Sequence, residues 1–435
     1  MLYSLIYFGD KQMGKDAIQK KRILIVEDNQ TLAKLISKKI EQTLEVKIDI
    51  AYTLAEAKLF LARYKYFITL LDINLPDAPN GEIVDYVLAK KQHAIILSAN
   101  IDKEFRSQML KKNIIDYVNK GGSGDIDYII QIIERLEKNR NHKVLVVDDS
   151  MVFRKKMQGM LENMFFEVIT VAHGEEALGM LQAKPDISLV LTDYNMPVMN
   201  GLELTFEIRK TYSKDKLCIV AISGNEDDEV SALFLKYGAN DYIKKPFSKE
   251  EFSVRVNNSI AALENIQTIM NYANRDYLTG LYNRRYFYQE MHEYIEEIKD
   301  GGERFAVAML DIDHIKKVND TYGHDVGDRV IVTLSNILQS STNPRDLVAR
   351  FGGEEFCIIL KQVTRESAFN ILERIRLEVE NYSFAVDKST HINFTISIGT
   401  VIHNTSDTLE DTLNEADMML YKAKNSGRNK IVLEE

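Results

Sequence analysis

Acidic residues, a serine and a lysine recur with the same spacing in two parts of this 435-residue chain. The acidic sets lie 121 positions apart: Glu27, Asp28 and Asp72, then Asp148, Asp149 and Asp193. In each copy the serine precedes the lysine by 22 positions, as Ser98 and Lys120 and as Ser223 and Lys245. Carboxylates that converge on one point repel one another unless a hard cation such as Mg²⁺ binds among them. An aspartate beside Mg²⁺, a lysine and a hydroxyl can accept a phosphoryl group, so the pattern predicts two phosphoryl-acceptor sites.

A further set of acids lies in the C-terminal part of the chain. It comprises two aspartates after an apolar run, two glutamates after a glycine pair, and two cations near the C-terminus: Asp311, Asp313, Glu354, Glu355, Gly352, Gly353, Lys424 and Arg428. The two aspartates are two positions apart, so on an extended strand they point to the same face. Acids at a strand end beside a glycine turn suit a metal-assisted nucleotidyl transfer with two Mg²⁺ ions, and the cations suit the β- and γ-phosphates. The residues alone therefore predict phosphoryl or nucleotidyl transfer.

The elements that position the first two sets are short apolar strands that also recur. Residues 23–28 (ILIVED) match residues 144–149 (VLVVDD), and the later apolar runs end at the repeated aspartate, serine and lysine. Segments with helical periodicity separate these strands. Strands that alternate with helices predict a doubly wound parallel sheet, whose functional groups gather at the carboxyl ends of the strands.

In the C-terminal part, residues 305–310 (FAVAML) predict a strand that leads into Asp311. Residues 348–351 and 356–360 predict two further strands, joined through Gly352 and Gly353 as a hairpin, because glycine accepts a positive φ.

The two repeats, residues 22–140 and 141–262, resemble the receiver domain of two-component signalling. The resemblance implies a flavodoxin-like fold, one Mg²⁺ per domain held by the acidic set, and phosphorylation by a histidine kinase or phosphotransfer protein. It makes Asp72 and Asp193 the phosphoacceptors. The repeated serines would contact the phosphoryl group, and the repeated lysines would pair with it.

The two copies differ in detail. Lys245-Pro246 matches the family's Lys-Pro step, often a cis peptide, whereas Gly121 follows Lys120, and the loop after Asp72 is longer than its counterpart. Tyr117 and Tyr242 occupy matched positions before the lysines. The family implies that they act as rotameric switches, and simple core packing is the alternative.

Residues 276–435 resemble the GGDEF family of diguanylate cyclases through four motifs in order: DYLTGLYNRR, DIDHIKKVNDTYGHDVGD, GGEEF and YKAKNSGRN. The resemblance implies a ferredoxin-like α+β fold similar to nucleotide cyclases, with GTP as the substrate. It places Asp311, the Ile312 carbonyl and Glu354 on two Mg²⁺ ions, and Glu355 near the reacting 3′-hydroxyl. Asn319 and Asp328 would bind guanine, while Gly352, Gly353, Lys424 and Arg428 would contact the phosphates.

One departure concerns product inhibition. Family members inhibited by their own product carry Arg-x-x-Asp before the glycine motif, whereas this chain has Asn343 at the arginine position and retains Asp346. Asparagine lacks the guanidinium fork that would hold a guanine edge and a phosphate. We therefore expect weak or absent inhibition at this incomplete site.

Apolar residues from Phe252 to Ala273 are spaced four and three apart without proline or glycine, which predicts one long helix. Up to about Ile260 this pattern suits the last helix of the second receiver. Beyond Ile260 it suits pairing with the same helix of a second chain in a homodimer. The predicted organisation is a tail over 1–21, receivers over 22–140 and 141–262, a linker helix over 263–275, and a catalytic domain over 276–435.

Composition indicates which partners and which cell compartment to expect. The formal net charge of -10 disfavours nucleic acid, because nonspecific affinity for phosphate backbones requires concentrated Lys and Arg. Cys218 and Cys357 lie in apolar runs, as expected of core thiols in a reducing compartment. The apolar stretch at residues 2–8 is too short to span a bilayer, so we expect no membrane insertion and a cytoplasmic protein.

His314 and His324 do not have the spacing of metal ligands, and we expect them to be structural.

Together these observations predict a response regulator that synthesises cyclic di-GMP from two GTP after aspartyl phosphorylation and dimerisation. The alternative is a non-enzymatic nucleotide-binding effector that signals through receiver-controlled protein contacts. In a further alternative, the first receiver serves only in assembly or as a phosphate sink.

Overall fold

The computed structural model describes residues 21–98, 103–120, 123–224, 228–298, 304–387, 389–404 and 407–434. The chain divides into two units, Met1–Ile266 and Gln267–Glu435. The predicted N-terminal tail lies outside the described residues except for Lys21, which begins the first strand. Within the described ranges, each helix is either too short or too polar to cross a lipid bilayer.

The first repeat alternates strands with helices. Its elements are β1 (Lys21–Val26), α1 (Gln30–Thr43), β2 (Val46–Ala51), α2 (Leu54–Arg63), β3 (Ile68–Asp72), α3 (Glu82–Ala89), β4 (Ala94–Ser98), α4 (Lys103–Leu110), β5 (Asp116–Asn119) and α5 (Ser123–Asn139). The five strands form a parallel sheet in the order β2-β1-β3-β4-β5. Strands β3 and β4 are buried along their whole length, which explains their continuous apolar sequence.

The second repeat has the same order of elements. They are β6 (Lys143–Val147), α6 (Met151–Asn163), β7 (Glu167–Val171), α7 (Gly174–Ala183), β8 (Ile187–Asp193), α8 (Gly201–Thr211), β9 (Cys218–Ser223), α9 (Asp228–Lys236), β10 (Asp241–Lys244) and α10 (Lys249–Asn274). The sheet order, β7-β6-β8-β9-β10, repeats that of the first copy. The predicted pair of doubly wound parallel sheets is therefore confirmed.

A carboxylate on helix α10 joins the two repeats. Glu264 accepts two hydrogen bonds of 2.7 Å from the guanidinium of Arg135 on α5, and its Oε1 lies 2.8 Å from Nε2 of His142. Burial raises the pKa of Glu264, but the hydrogen bonds from Arg135 and His142 outweigh this effect and lower the pKa to about 2. The charged form of Glu264 thus stabilises the contact between the repeats.

Glu264→Gln is expected to lower the free energy of unfolding of the receiver unit at pH 7 by about 1–3 kcal/mol, because a charge-assisted pair is lost. Since the folded-state pKa is depressed, this stabilisation is present above pH 4.5 and disappears as the pH falls towards 2. Urea unfolding at stepped pH should therefore show wild type and variant converging in acid. Glu137→Gln, which removes an exposed ion pair with Lys21, is the control and should cost less than about 1 kcal/mol. A gap between wild type and Glu264→Gln that stays constant from pH 7 to 2 would contradict the assignment.

Helix α10 changes character along its length. Phe252, Val256, Ile260 and Leu263 are buried, whereas Ile266 and Met270 are 37% and 42% exposed. The first part therefore packs as the last helix of the second repeat. The apolar side chains after Leu263 lie at the surface, and their pairing in a dimer stays a prediction.

The C-terminal unit is built on a mixed sheet. Its elements after α10 are β11 (Tyr282–Asn283), α11 (Arg284–Ile298), β12 (Phe305–Ile312), α12 (Ile315–Tyr322), α13 (His324–Ser341), β13 (Leu347–Gly352), β14 (Glu355–Lys361), α14 (Arg365–Glu380), β15 (Phe384–Ala385), β16 (His391–Ile392), β17 (Ile396–Ile402), α15 (Leu409–Asn425) and β18 (Ile431–Leu433). Strands β13, β14, β12 and β17 are adjacent in that order and antiparallel, with β11 and β18 at the edges. An antiparallel sheet that packs with helices makes this an α+β domain, as predicted.

The predicted glycine hairpin is present, but its turn is shifted by one residue. Gly352 pairs with Glu355, so the turn consists of Gly353 and Glu354 rather than the two glycines. Gly353 has φ +51°, a conformation that favours glycine. The shift places Glu354 at the tip of the hairpin.

Candidate active sites

In the first repeat, the predicted acids and lysine meet at the carboxyl edge of the sheet. The Lys120 ammonium lies 2.6 Å from Asp72 Oδ2 and 2.9 Å from Glu27 Oε2. Burial lowers the pKa of Lys120, but the hydrogen bonds to Asp72 and Glu27 outweigh it and raise the pKa. Asp72 is 2% exposed, so a group that reacts with it must approach from the carboxyl edge of the sheet.

The second repeat brings together the corresponding residues. The Lys245 ammonium lies 2.7 Å from Asp193 Oδ1 and 3.1 Å from Asp148 Oδ2. Burial raises the pKa of Asp193, and the bond from Lys245 opposes that rise only in part. The Lys245-Pro246 peptide is cis, as the family pattern suggested.

The repeated serines end the neighbouring strands and are buried. The backbone N–H of Lys120 donates to the carbonyl of Ser98 at 2.9 Å, and that of Lys245 donates to the carbonyl of Ser223 at 2.7 Å. These backbone bonds place each serine beside the lysine of its own site. Tyr117 is buried in the core and Tyr242 is partly buried against Phe234, which agrees with the packing role and does not test a switch.

The donor set of the first repeat suits Mg²⁺. Glu27, Asp28 and Asp72 each offer a carboxylate oxygen, and these oxygens lie within 4.8 Å of one another. Hard oxygen donors with excess negative charge are the ligands that Mg²⁺ prefers. Asp148, Asp149 and Asp193 occupy the matching positions of the second repeat, but among the described residues their carboxylate oxygens do not all lie within this distance of one another.

In the C-terminal unit, the acids of two strands share one corner of the sheet. Asp311 on β12 is the cross-strand partner of Glu355 on β14, and its Oδ2 lies 2.7 Å from the Lys424 ammonium on α15. Burial raises the pKa of Asp311, the bond from Lys424 lowers it, and the charges of Glu354 and Glu355 raise it further. Asp311 therefore accepts from one lysine and is subject to the charges of two further carboxylates, a surplus of negative charge that divalent cations would neutralise.

Asp313 does not join this corner, although it lies only two residues from Asp311. Its carboxylate accepts hydrogen bonds of 2.7 Å from the hydroxyls of Thr395 and Ser397 and one of 3.0 Å from the backbone N–H of Asn429. Asp313 is therefore a structural residue that ties β12 to neighbouring segments.

Sequence reasoning missed the residue that holds the hairpin turn. Arg350 donates from Nε and Nη2 to the carbonyl of Gly353, at 3.0 and 2.7 Å, and from Nη1 to Asp276 Oδ1 at 2.8 Å. Asp276 also accepts from the Thr279 hydroxyl at 2.7 Å. The arginine thus fixes the turn that carries Glu354 to the start of the DYLTGL segment. An arginine that closely precedes a glycine turn was the only signal.

The two residues expected at the base lie on adjacent helices. Asn319 is on α12, and its side-chain oxygen is buried without a hydrogen-bond partner in the described part of the chain. A Cβ at Gly327 would lie 1.8 Å from that oxygen, so only glycine leaves the space that Asn319 occupies. Asp328 is exposed and lines a cavity of about 370 Å³ with Leu278, Val332 and Phe384. Asn319 is not among the residues that line this cavity. An unpaired acceptor on α12 and an exposed carboxylate on α13 suit the hydrogen-bonding edge of a flat ring.

Three of the remaining candidates lie at the surface and one is buried. Arg428 follows α15 with φ +63° and is exposed, as are His314 and His324 at the starts of α12 and α13. Ile312 is buried at the end of β12, next to Asp311.

The incomplete product site is occupied by internal bonds. Asp346 accepts hydrogen bonds from the backbone N–H groups of Asn343, at 2.9 Å, and Lys361, at 3.0 Å. Its carboxylate therefore closes a loop and anchors the end of β14. Arg345 points elsewhere and bonds Gln362 at 2.7 Å.

Comparison with known families identifies two kinds of domain in the chain. Residues 23–134 and 144–257 match the response regulator receiver domain, and residues 273–430 match the diguanylate cyclase GGDEF domain. The predicted combination of two receivers and a GGDEF domain is thereby confirmed.

Known proteins support this result. Response regulator PleD of Caulobacter vibrioides (strain NA1000 / CB15N) is 32% identical over 299 residues, which are 67% of this chain and 65% of that protein. Diguanylate cyclase A of Treponema denticola is 36% identical over 180 residues, 40% of this chain and 48% of that protein. The chain thus matches less than two thirds of the length of each of these relatives.

A solved structure of a protein assigned as a two-component system response regulator/GGDEF domain protein is 37% identical, with a TM-score of 0.51. The match covers 56% of this chain and 100% of the other. The chain therefore belongs to the response regulators that carry receiver domains followed by a GGDEF domain.

Proposed function

We propose that this protein is a diguanylate cyclase, which condenses two GTP molecules into cyclic di-GMP under the control of its receivers. The observation that carries the proposal is the corner of the C-terminal sheet where Asp311 accepts from Lys424, pairs across the strands with Glu355 and is subject to the charges of Glu354 and Glu355. Such a corner can bind metal ions and a triphosphate together. The base site at Asn319 and Asp328 adds the selection of guanine.

Each residue of the corner has a role in this proposal. Asp311, Glu354 and the Ile312 carbonyl would hold two Mg²⁺ ions, which supply Lewis acidity at the α-phosphate and the attacking hydroxyl. Lys424 would exchange its bond to Asp311 for the phosphates when GTP binds, and Arg428 would add a second cation. Glu355 would lie near the reacting 3′-hydroxyl.

One such site holds a single GTP, so the reaction needs two chains. The 3′-hydroxyl of each GTP attacks the α-phosphate of the other, and two pyrophosphates leave. Dimerisation can act as the switch because it brings the two nucleotides within reach. The exposed apolar side chains of α10, including Ile266 and Met270, would form part of the contact between two copies.

The receivers would supply the control. A histidine kinase or phosphotransfer protein would phosphorylate Asp72 and Asp193, each beside one Mg²⁺. Lys120 and Lys245, already bonded to these aspartates, would pair with the phosphoryl groups, and the Ser98 and Ser223 hydroxyls would contact them.

Regulation can be tested with a phosphoryl mimic. Beryllofluoride with Mg²⁺ should increase the rate of cyclic di-GMP synthesis about 10-fold or more, because each tenfold gain needs only about 1.4 kcal/mol of dimer stabilisation. Asp72→Asn and Asp193→Asn, each alone and combined, would show which receiver controls the output. Equal rates with and without beryllofluoride in wild type would refute receiver control, and a chain that binds GTP without product would favour the effector alternative.

Product inhibition gives a separate expectation. The Asp346 carboxylate accepts from two backbone amides and Asn343 replaces the arginine, so cyclic di-GMP at about 1 µM should leave the initial rate unchanged. Asp346→Ala should instead lower stability by about 1–3 kcal/mol, because two amides lose their acceptor. Rates with added product and thermal unfolding would check both. Inhibition by submicromolar cyclic di-GMP that disappears in Asp346→Ala would refute this account.

A further inference from the structure

The turn after helix α15 contains three successive residues in the left-handed region of the backbone. Gly427, Arg428 and Asn429 have φ values of +113°, +63° and +45°. Gly427 caps the helix, because the backbone N–H that follows it, that of Arg428, donates to the carbonyl of Ala423 at 3.1 Å. Such a cap needs only one left-handed residue. The positive φ of Arg428 and Asn429 is uncommon for residues that carry a Cβ, and the cap does not explain it.

The side chain of Asn429 is bonded at both of its polar atoms. Its NH₂ group donates to Glu380 Oε1 at 2.7 Å, and its oxygen accepts from Arg376 Nη1 at 2.8 Å. The backbone N–H of Asn429 donates to Asp313 Oδ2 at 3.0 Å. Glu380 and Arg376 lie on α14, 49 and 53 positions before Asn429. A distant helix therefore stabilises the left-handed conformation of this turn.

The two residues of α14 that bond Asn429 are themselves held in place. The Arg376 side chain is 11% exposed, and its guanidinium also donates to Glu373, at 2.6 and 2.8 Å, and to Glu380 Oε2, at 2.9 Å. The hydrogen bonds from Asn429 and then from Arg376 lower the pKa of Glu380, so its carboxylate is charged at neutral pH. Asn429 thus meets a fixed acceptor and a fixed donor.

Arg428, in the middle of the turn, has a free side chain on a fixed main chain. It is exposed, and its guanidinium has no hydrogen-bond or ion-pair partner within the part of the chain that the structure describes. Its backbone N–H bonds Ala423, the residue before Lys424, whose ammonium lies 2.7 Å from Asp311 Oδ2. Unusual backbone conformations that the surrounding structure enforces are concentrated at sites that bind ligands. An anion bound near Asp311 would be within reach of a cation presented in this way.

We propose that Asn429, held by Arg376 and Glu380, is a positioning residue that fixes the turn so that Arg428 meets the β- and γ-phosphates of GTP. Without these bonds the turn would relax, and binding would have to order the Arg428 main chain as well as its side chain, which weakens affinity. The inference rests on the proposed function, because it takes GTP as the substrate and Arg428 as a phosphate ligand. Asn429 itself does not touch the nucleotide.

The role can be tested by the binding of 3′-deoxy-GTP with Mg²⁺ to the full chain. This nucleotide has all three phosphates but lacks the attacking hydroxyl, so no condensation takes place. Asn429→Gly keeps the left-handed conformation accessible and removes both side-chain bonds. It should weaken the binding of 3′-deoxy-GTP about 5- to 10-fold and leave that of GMP, which has only the α-phosphate, within about 2-fold of wild type. A purely structural role would change both affinities alike or neither, and either result would overturn the proposal.

A double variant shows whether Asn429 acts through Arg428. Arg428→Ala alone should weaken 3′-deoxy-GTP binding about 10-fold, because a charge-assisted contact is lost. Adding Asn429→Gly to Arg428→Ala should change the affinity less than about 2-fold further, since the side chain that it positions is already absent. Losses that multiply in the double variant would overturn the proposal, because Asn429 would then act by another route.

Variants on α14 leave the sequence of the turn intact and serve as the test if Asn429→Gly does not fold. Glu380→Ala removes the acceptor of Asn429 and should weaken 3′-deoxy-GTP binding about 3-fold or more, whereas Glu380→Gln retains an acceptor oxygen and should stay within about 2-fold of wild type. Glu373→Ala is the matched control, because Glu373 bonds Arg376 but not Asn429. An equal loss in Glu373→Ala and Glu380→Ala would contradict the positioning role.

Failure of this inference and failure of the proposed function give different results. If wild type does not bind 3′-deoxy-GTP, neither stands. If wild type binds it and Arg428→Ala or Asn429→Gly binds it equally well, the positioning role alone is overturned. The proposed cyclase would then still rest on Asp311, Glu354 and Glu355.

Discussion

Asp311→Asn is expected to reduce cyclic di-GMP synthesis about 100- to 1,000-fold while the fold is retained. The carboxylate lies at the corner where Glu354 and Glu355 also gather, and a neutral amide there weakens both metal binding and the stabilisation of the developing charge. Because burial raises the pKa of Asp311, the amide should be tolerated in the fold, although the Lys424 bond is weakened. Initial rates at saturating GTP, together with the unfolding midpoint, would measure both effects.

The matched control is Asp313→Asn, which makes the same chemical change two residues away. Among the described residues, the Asp313 carboxylate accepts from Thr395, Ser397 and the Asn429 backbone, so the variant should lose about 1–3 kcal/mol of stability and keep its turnover per folded chain within a few fold. If Asp313→Asn lost as much activity as Asp311→Asn at equal folded fraction, the separation of a reacting and a structural aspartate would be wrong.

Asp328→Asn is expected to lower kcat/KM for GTP about 10- to 100-fold, because a charged acceptor for guanine contributes about 1.5–3 kcal/mol. Inosine triphosphate lacks the 2-amino donor, so wild type should prefer GTP over it and the variant should discriminate less. Steady-state rates with both nucleotides would measure the loss of selectivity. Unchanged preference for GTP in Asp328→Asn would show that the base is recognised elsewhere.

Asp325→Asn provides the control for charge and position. It removes a carboxylate from the first turn of the same helix, α13, and Asp325 does not line the cavity beside Asp328. The nucleotide preference of this variant should equal that of wild type. A similar loss in both variants would indicate a general effect of the helix charge.

The repeat and the motifs allowed much of the fold to be predicted from sequence. Continuous apolar runs that end at Asp72 and Asp193 specify buried parallel strands, and the structure brings the distant Lys120 and Lys245 to within 2.7 Å of these aspartates. The GGDEF-like hairpin was also predictable, because few residues other than glycine adopt a positive φ at a turn. These features depend on local pattern and on the topology of alternating elements.

Features that depend on side-chain pairing across the sequence were not predictable. Arg350 bonds Asp276 and Gly353, and Asp313 binds partners more than 80 positions away, so neither role is visible in a local pattern. The side-chain partners of Glu264 on α10 likewise lie in and just after α5. The one-residue shift of the hairpin turn arises from an irregularity between Arg350 and Gly352 that strand patterns do not specify.

The surface difference between the two receivers likewise depends on the three-dimensional structure rather than on local sequence pattern. Sequence alignment of the copies shows matching acids, serines and lysines, whereas exposure and backbone strain at Val198 appear only in three dimensions. The chemical residues alone would suggest equal receivers.

The most direct test of the central claim is the product made by the purified chain from GTP and Mg²⁺ in the presence of beryllofluoride. Mass spectrometry of the nucleotides, with a separate assay for pyrophosphate, would give the stoichiometry. The account predicts cyclic di-GMP with two pyrophosphates released per molecule. GTP left intact, or converted to GDP and phosphate without cyclic di-GMP, would contradict it.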